Sequence, residues 1–271
     1  MKARILTAIV GIAAVILLVT AGGLPLTAAI FVVAGLAWME YARMMKKITH
    51  VYTGPALMAI AVMIGAAASS SLPLFAAAVL CCFVVLLFLI LVIQKSDIWA
   101  LFSTVVGAVY FGVGFGSFLY LRGGDDLLAA GAASIHGGIF LLWFALIGTW
   151  SSDTFAYAVG KNLGRHKMAP HISPNKTMEG LAGGAVGCVA LCLAYAAYFD
   201  FALLPAFFLG VLVAIAAPLG DLFESYIKRV CDIKDSGNIL PGHGGMMDRF
   251  DSLLFVAPLM LAGLVAMRSF L

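Results

Sequence analysis

Residues 221–251 hold six carboxylates and four cations in a 31-residue run. Asp221, Glu224, Asp232, Asp235, Asp248 and Asp251 are interspersed with Lys228, Arg229, Lys234 and Arg249. The whole chain is 63% hydrophobic and 11% charged, against about 25% charged in an ordinary soluble domain. Charge gathered at a membrane boundary is costly, so this stretch reads as a functional site. Asp221, Glu224, Ser225 and Lys228 follow a spacing that puts them on one face of a continuing helix. Taken alone, Glu224 and Lys228 read equally well as a solvated pair. Asp221 follows the apolar run ending Pro218-Leu219-Gly220, and a carboxylate there needs a cation, a metal or a proton.

Pro241-Gly242-His243-Gly244-Gly245 cannot form regular helix. Its glycines allow backbone N–H groups to converge as an anion cradle. Asp248 and Asp251 then stand three residues apart at the opening of the last helix, able to face the same way. Carboxylates are hard oxygen donors suited to Mg²⁺, which takes one or two of them together with substrate phosphates. Carboxylates, cations and a glycine loop fit phosphoryl or nucleotidyl transfer, in which metal and cations neutralise developing charge. Helix capping and a turn account for Asp232 or Asp251, but not for the whole set.

A second polar stretch begins at Asp153, an acidic residue within an apolar segment. Lys176 lies between Pro174 and a helix start, a suitable place to meet a phosphate. Ser173 to Thr177 also reads as a simple helix start, and Lys161, Arg165 and Lys167 as membrane anchors. His136, His166 and His171 show no metal spacing, and Asp125 and Asp126 read as ordinary loop residues.

The elements that must position these groups are apolar helices. Nine segments of the right length are expected at about 5–20, 26–42, 54–70, 73–93, 99–121, 139–159, 179–199, 203–219 and 252–270. The first has the basic flank of a signal peptide (Lys2, Arg4), but more spans follow and it reads as a helix. The fold class is all-α, a polytopic membrane protein of one integrated domain, 1–271, with N-terminal helices over 1–121 and the site-bearing part over 139–271. With nine spans, all 16 basic residues except Arg122 and Arg268 fall on one side of the bilayer. The positive-inside rule then puts the N-terminus and both polar stretches in the cytoplasm and the C-terminus outside. Gly112 with Gly116, and Gly183 with Gly187, have the spacing of close helix packing. The five cysteines show neither metal nor disulfide spacing, and four lie in apolar segments as small hydrophobes. A net charge of +3 is too small to argue for nucleic acid.

The run Ser225-x-Ile227-Lys228-Arg229-x4-Lys234-Asp235-x-Gly237-x2-Leu240-Pro241-x-His243-Gly244-Gly245-Met246-x-Asp248-Arg249-Phe250-Asp251 resembles the signature of the phosphatidate cytidylyltransferases, or CDP-diacylglycerol synthases. The segments Asp153-Thr154-x-Ala156-Tyr157 and Ile172-Ser173-Pro174-x-Lys176-Thr177-x-Glu179-Gly180, and the Glu40-Tyr41 end of the second span, are similar to that family too. Phe155 and Lys161 depart from its usual residues. The resemblance implies that phosphatidate and CTP give CDP-diacylglycerol and pyrophosphate with Mg²⁺, two ions being expected. It implies metal held by Asp221 and Asp248, with Asp251 beside them. Lys228 and His243 are expected to act with these carboxylates. Lys176, Ser173, Ser225, Arg229, Lys234, Arg249, Gly244, Gly245 and Asp153 are expected to bind substrate. The expected setting is a bacterial-type inner membrane with the site facing the cytoplasm. The expected partners are CTP, phosphatidate, the bilayer and a second copy in a homodimer. Two rivals stand beside this reading. One is a transferase for another lipid phosphate or a polyprenol. The other is an ion-coupled transporter, disfavoured because the charge gathers at one face and not at mid-bilayer.

Overall fold

The computed structural model describes residues 2–92, 97–124, 127–128, 135–239 and 244–267, with the side chains of 2–8 and 90 left aside. In chain order the elements are α1 (Lys2–Ala21), α2 (Gly23–Met45), α3 (Thr53–Ala68), α4 (Leu72–Val92), α5 (Ile98–Gly123), α6 (Gly137–Leu163), β1 (Lys167–Ala169), β2 (Ser173–Thr177), α7 (Met178–Tyr198), α8 (Leu203–Val230), α9 (Met247–Phe250) and α10 (Leu253–Met267). Among the described residues, seven helical stretches are long and apolar enough to cross a membrane: α2, α4, α5, α6, α7, α8 and Met247–Met267. The segments Ile9–Ala21 and Thr53–Ala68 are apolar but shorter. The 16 residues of α3 rise about 24 Å, short of a hydrocarbon core of about 30 Å. The chain is therefore a helical, multi-pass membrane protein. Large apolar side chains such as Leu80, Phe88, Leu91 and Leu204 stand exposed, as a lipid-facing surface requires.

The chain divides into two compact units, each built from two pieces of sequence. The first unit comprises Met1–Gly123 and Lys228–Phe250. Here α5 packs against α2, α3 and α4. The contacts are close because the α5 glycines leave room. A Cβ on Gly107 would lie 2.9 Å from the Trp38 ring, one on Gly116 would lie 2.7 Å from Phe75, and Gly112 receives Met63. Trp38, Tyr41 and Phe111 form an aromatic cluster, with Trp38 and Tyr41 centroids 5.4 Å apart. Arg122 Nε donates to the Val19 carbonyl at 2.7 Å, capping the end of α1.

The second unit comprises Gly124–Ile227 and Asp251–Leu271. Its main contact is α6 against α7. Gly183 and Gly187 receive Val159 and Phe155, while a Cβ on Gly180 or Gly184 would stand 2.8 Å from the Ala156 or Ser152 carbonyl. Both expected glycine pairs thus serve helix packing. The hairpin β1–β2 pairs Lys167 with Thr177 and Ala169 with Ser173, where the sequence reads as a polar, basic stretch running into a helix start.

Candidate active site

In the second unit, α6, β2 and α8 surround a cavity of about 570 Å³. That is within the roughly 300–1,000 Å³ of small-molecule sites. Its polar lining includes Asp153, Lys161, Asn175, Lys176 and Asp221. The sequence positions these groups through local devices. Thr177 caps α7 by accepting the Gly180 N–H at 3.1 Å, so Lys176 is delivered by β2 just ahead of the helix. Asp221 follows Pro218 within α8. Lys176 Nζ and Asp221 Oδ2 meet at 2.6 Å, and Ser225 Oγ, one turn on, donates to Asp221 Oδ1 at 3.3 Å. Asp153, from α6, stands exposed in the cavity wall. Lys161 lies 5.6 Å from the centroid of the Tyr157 ring.

In the first unit, Lys228 Nζ donates to Asp248 Oδ1 at 2.8 Å, with both side chains nearly buried. Asp248 Oδ2 accepts from Gly245 N at 2.8 Å, from Ser236 Oγ at 2.9 Å and from Ser236 N at 3.2 Å. Asp232 adopts a left-handed φ of 51° and ends α8, with Ile233 N donating back to the Lys228 carbonyl at 2.9 Å. This is the helix-ending turn that Asp tolerates better than most residues. Glu40 of α2 is fully buried. It accepts from Met246 N at 3.0 Å and from Met247 N at 2.9 Å. The two N–H groups just after the glycine run are thus taken by the protein's own Glu40, and that of Gly245 by Asp248.

The remaining expected site residues divide by role. Arg229 Nη1 donates to the Ile233 carbonyl at 3.0 Å, while Lys234 and Arg249 are exposed and Ser173 is half-buried in β2. Gly244 has a φ of 82°, which a residue with a Cβ seldom adopts. Asp251 Oδ1 accepts the Ser252 N–H at 2.6 Å. The helical stretch breaks there into α9 and α10, where the sequence reads as one helix. His243 lies outside the described residues. Burial pushes the Cys231 thiol up despite the nearby Lys47, which leaves it a poor nucleophile. Among the described residues no group of three or more His, Cys, Asp or Glu is gathered to hold a metal.

Mg²⁺ makes do with one or two carboxylates when substrate phosphates complete its shell, and the donor chemistry fits that. An ionised carboxylate offers about four lone-pair positions, and Asp221 keeps acceptor capacity beyond Lys176 and Ser225. Sequence reasoning passed over Ser236, and noted Glu40 only in the Glu40-Tyr41 end of the second span, as part of the family resemblance. The signal available was an acidic residue in an apolar helix, but its partners lie some two hundred residues away.

A family model described as the cytidylyltransferase family matches residues 2–267. The chain is 34% identical to the phosphatidate cytidylyltransferase of Bacillus subtilis (strain 168) over 268 residues, covering 95% of each chain. It is 32% identical to that of Staphylococcus haemolyticus (strain JCSC1435) over 273 residues, 98% of this chain and 100% of the relative. It is 40% identical to that of Staphylococcus aureus (strain COL) over 158 residues, 58% of this chain and 56% of the relative. A match over nearly the whole length, on a helical membrane fold, means that this chain belongs to the cytidylyltransferase family.

Proposed function

We propose that this protein transfers the cytidylyl group of CTP to phosphatidate, giving CDP-diacylglycerol and pyrophosphate. The observation that carries the reading is the pairing of Lys176 with Asp221 at 2.6 Å in a cavity lined by α6, β2 and α8. A phosphate oxygen of the lipid forms the new bond to the α-phosphorus of CTP. The bond from that phosphorus to the bridging oxygen breaks, and pyrophosphate leaves. The lipid phosphate is already ionised, so the protein need not supply a general base. Lys176 and Lys228 hold phosphate oxygens, each ammonium offering three donors. Arg229, Lys234 and Arg249 add positive charge for the triphosphate. Ser173, Ser225, Gly244 and Gly245 contribute hydroxyl and backbone donors, and Asp153 and His243 orient these groups.

Asp221 and Asp248, with Asp251, hold Mg²⁺, two ions in this reading, and the metal supplies charge neutralisation at the phosphates when bound. In this reading the polar stretches face the cytoplasm of a bacterial-type inner membrane, and the protein works as a homodimer.

The test uses purified protein in detergent with phosphatidate, Mg²⁺ and radiolabelled CTP, beside Asp221→Asn and Asp248→Asn. Label extracted with lipid from the parent, and near-background label from both variants, is expected. Active variants would move the metal elsewhere. No label from folded parent at any Mg²⁺ level would overturn the substrate assignment.

A further inference from the structure

Glu40 lies on α2, far in sequence from every residue given a role above. Its carboxylate has no accessible surface, and a buried carboxylate in an apolar helix is expensive to maintain. A residue needed for packing alone would be apolar at lower cost. The three hydrogen bonds shown for Glu40 all come from the segment that presents Asp248: Met246 N, Met247 N and Ser236 Oγ, the last at 3.3 Å.

Ser236 and the backbone between Gly245 and Met247 serve two carboxylates in turn. Gly245 N goes to Asp248 Oδ2, and the next two N–H groups go to Glu40. The Ser236 hydroxyl stands between them, 2.9 Å from Asp248 Oδ2 and 3.3 Å from Glu40 Oε2. A hydroxyl has one proton, so it serves one carboxylate at a time, and the two are mechanically linked through it.

The space around Glu40 is equally specific. A Cβ on Gly237 would run into Glu40 Oε1 and stand 2.9 Å from its Cδ. One on Gly245 would stand 2.6 Å from Glu40 Oε2 and collide with Ser236 Oγ. The carboxylate is thus wedged between two glycines of the signature run, one on each side of the segment. Its own helix is anchored by Trp38 and Tyr41, packed around Phe111.

We infer that Glu40 is a positioning residue for the reaction: its carboxylate fixes the backbone around Gly237 and Gly245–Met247 to α2, and so sets the place and rotamer of Asp248. The inference rests on the reading that Asp248 acts at the metal and nucleotide. It also gives a reason for glycine at 237 and 245, since the absent side chains make room for Glu40.

The test compares Glu40→Gln, Glu40→Asp and Asp248→Asn in the purified full-length protein. Half-saturation for CTP, Mg²⁺ and phosphatidate is measured separately, with thermal unfolding alongside. Removing an outer partner of a metal-binding carboxylate typically costs about 10–100-fold in affinity or activity. Glu40→Gln is expected to lower kcat/KM for CTP by about that factor and to raise the Mg²⁺ requirement, while KM for phosphatidate and the unfolding temperature stay parental. Glu40→Asp keeps the charge but withdraws it by one methylene, and should recover part of the loss. Gly237→Ala should reproduce the Glu40→Gln pattern in the parent and cost nothing further in Glu40→Ala, where the space is vacated.

Parental CTP and Mg²⁺ kinetics in folded Glu40→Gln, with Asp248→Asn inactive, overturn the inference alone. A fully active Asp248→Asn overturns the reading beneath it. If neither Glu40 variant folds, or if all substrates are affected equally together with a lower unfolding temperature, Glu40 is a residue of the fold and the inference fails.

Discussion

Gly220→Ala is a one-carbon test of how the second unit places Asp221. Gly220 is buried in α8, immediately before Asp221. A Cβ there would lie 2.5 Å from the Asp251 carbonyl oxygen and 2.8 Å from Ser252 Cα. Ordinary contact begins at 3.4 Å, so the backbones must separate by about 0.9 Å, and both obstacles are main chain that no rotamer change can move. Helix propensity alone would favour Ala over Gly by about 0.5–1 kcal/mol, so propensity and sterics predict opposite signs. Sterics should win, since overpacking of this kind costs about 1–3 kcal/mol. A displacement near 1 Å at a positioned group can cost about 10²-fold in rate, and that loss in kcat/KM is the expected result. Gly65→Ala is the matched control, because nothing lies within 4 Å of its Cβ. It should keep parental turnover and gain slightly in stability. The assay is lipid-extractable label from radiolabelled CTP, with unfolding followed in the same detergent. Gly220→Ala with turnover and stability equal to Gly65→Ala would refute the reasoning.

Two further perturbations follow from the second unit. Lys176→Gln removes the cation from Asp221 and a donor to phosphate; turnover should fall by about 10²-fold, the scale seen when a single oxyanion donor is lost, with KM for CTP raised. Thr177→Val removes the oxygen that accepts the Gly180 N–H while keeping shape; unfolding in detergent should show a loss of about 1 kcal/mol, with a smaller kinetic effect than Lys176→Gln.

Much of this arrangement can be read from residue order. An acidic residue just past an apolar run, at Asp221, marks where α8 lines the cavity and meets Lys176. Lys176 before a helix start is placed by the Thr177 cap as expected, and Asp232 ends α8 as a capping residue should. Long apolar runs announce their helices, because periodicity and hydropathy are local properties. The β1–β2 hairpin gives no such signal: its strands are short and without alternation. It forms because Lys167 and Thr177 pair across a turn beside the α6–α7 packing. The break between α9 and α10 is set by the side chain of Asp251 closing on Ser252, which composition does not reveal. Glu40 is hardest to read, since its meaning depends on Ser236 and Met246, which no window of sequence brings near it.

The charged run 221–251 is contiguous in sequence but resolves into two local structures, and this changes what a substitution within it tests. Asp221 is completed by Lys176 from β2. Asp248 is completed by Lys228 from the end of α8 and, through Ser236, by Glu40 from α2. Contiguity itself supplies the helix: α8 runs unbroken from Leu203 to Val230. The Lys228–Asp248 pair is nearly buried, with side-chain exposures of 12% and 9%. Removing one partner of such a pair strands the other at a cost of about 3–5 kcal/mol. A dead Lys228→Met enzyme would therefore report lost structure as readily as lost phosphate binding. At Asp221, with 29% exposure and Lys176 at 23%, solvent relieves part of that cost, so inactive but folded variants there speak to the chemistry. The residues of the more open pair are the cleaner probes of mechanism, and those of the buried pair must be read with stability measured in the same preparation.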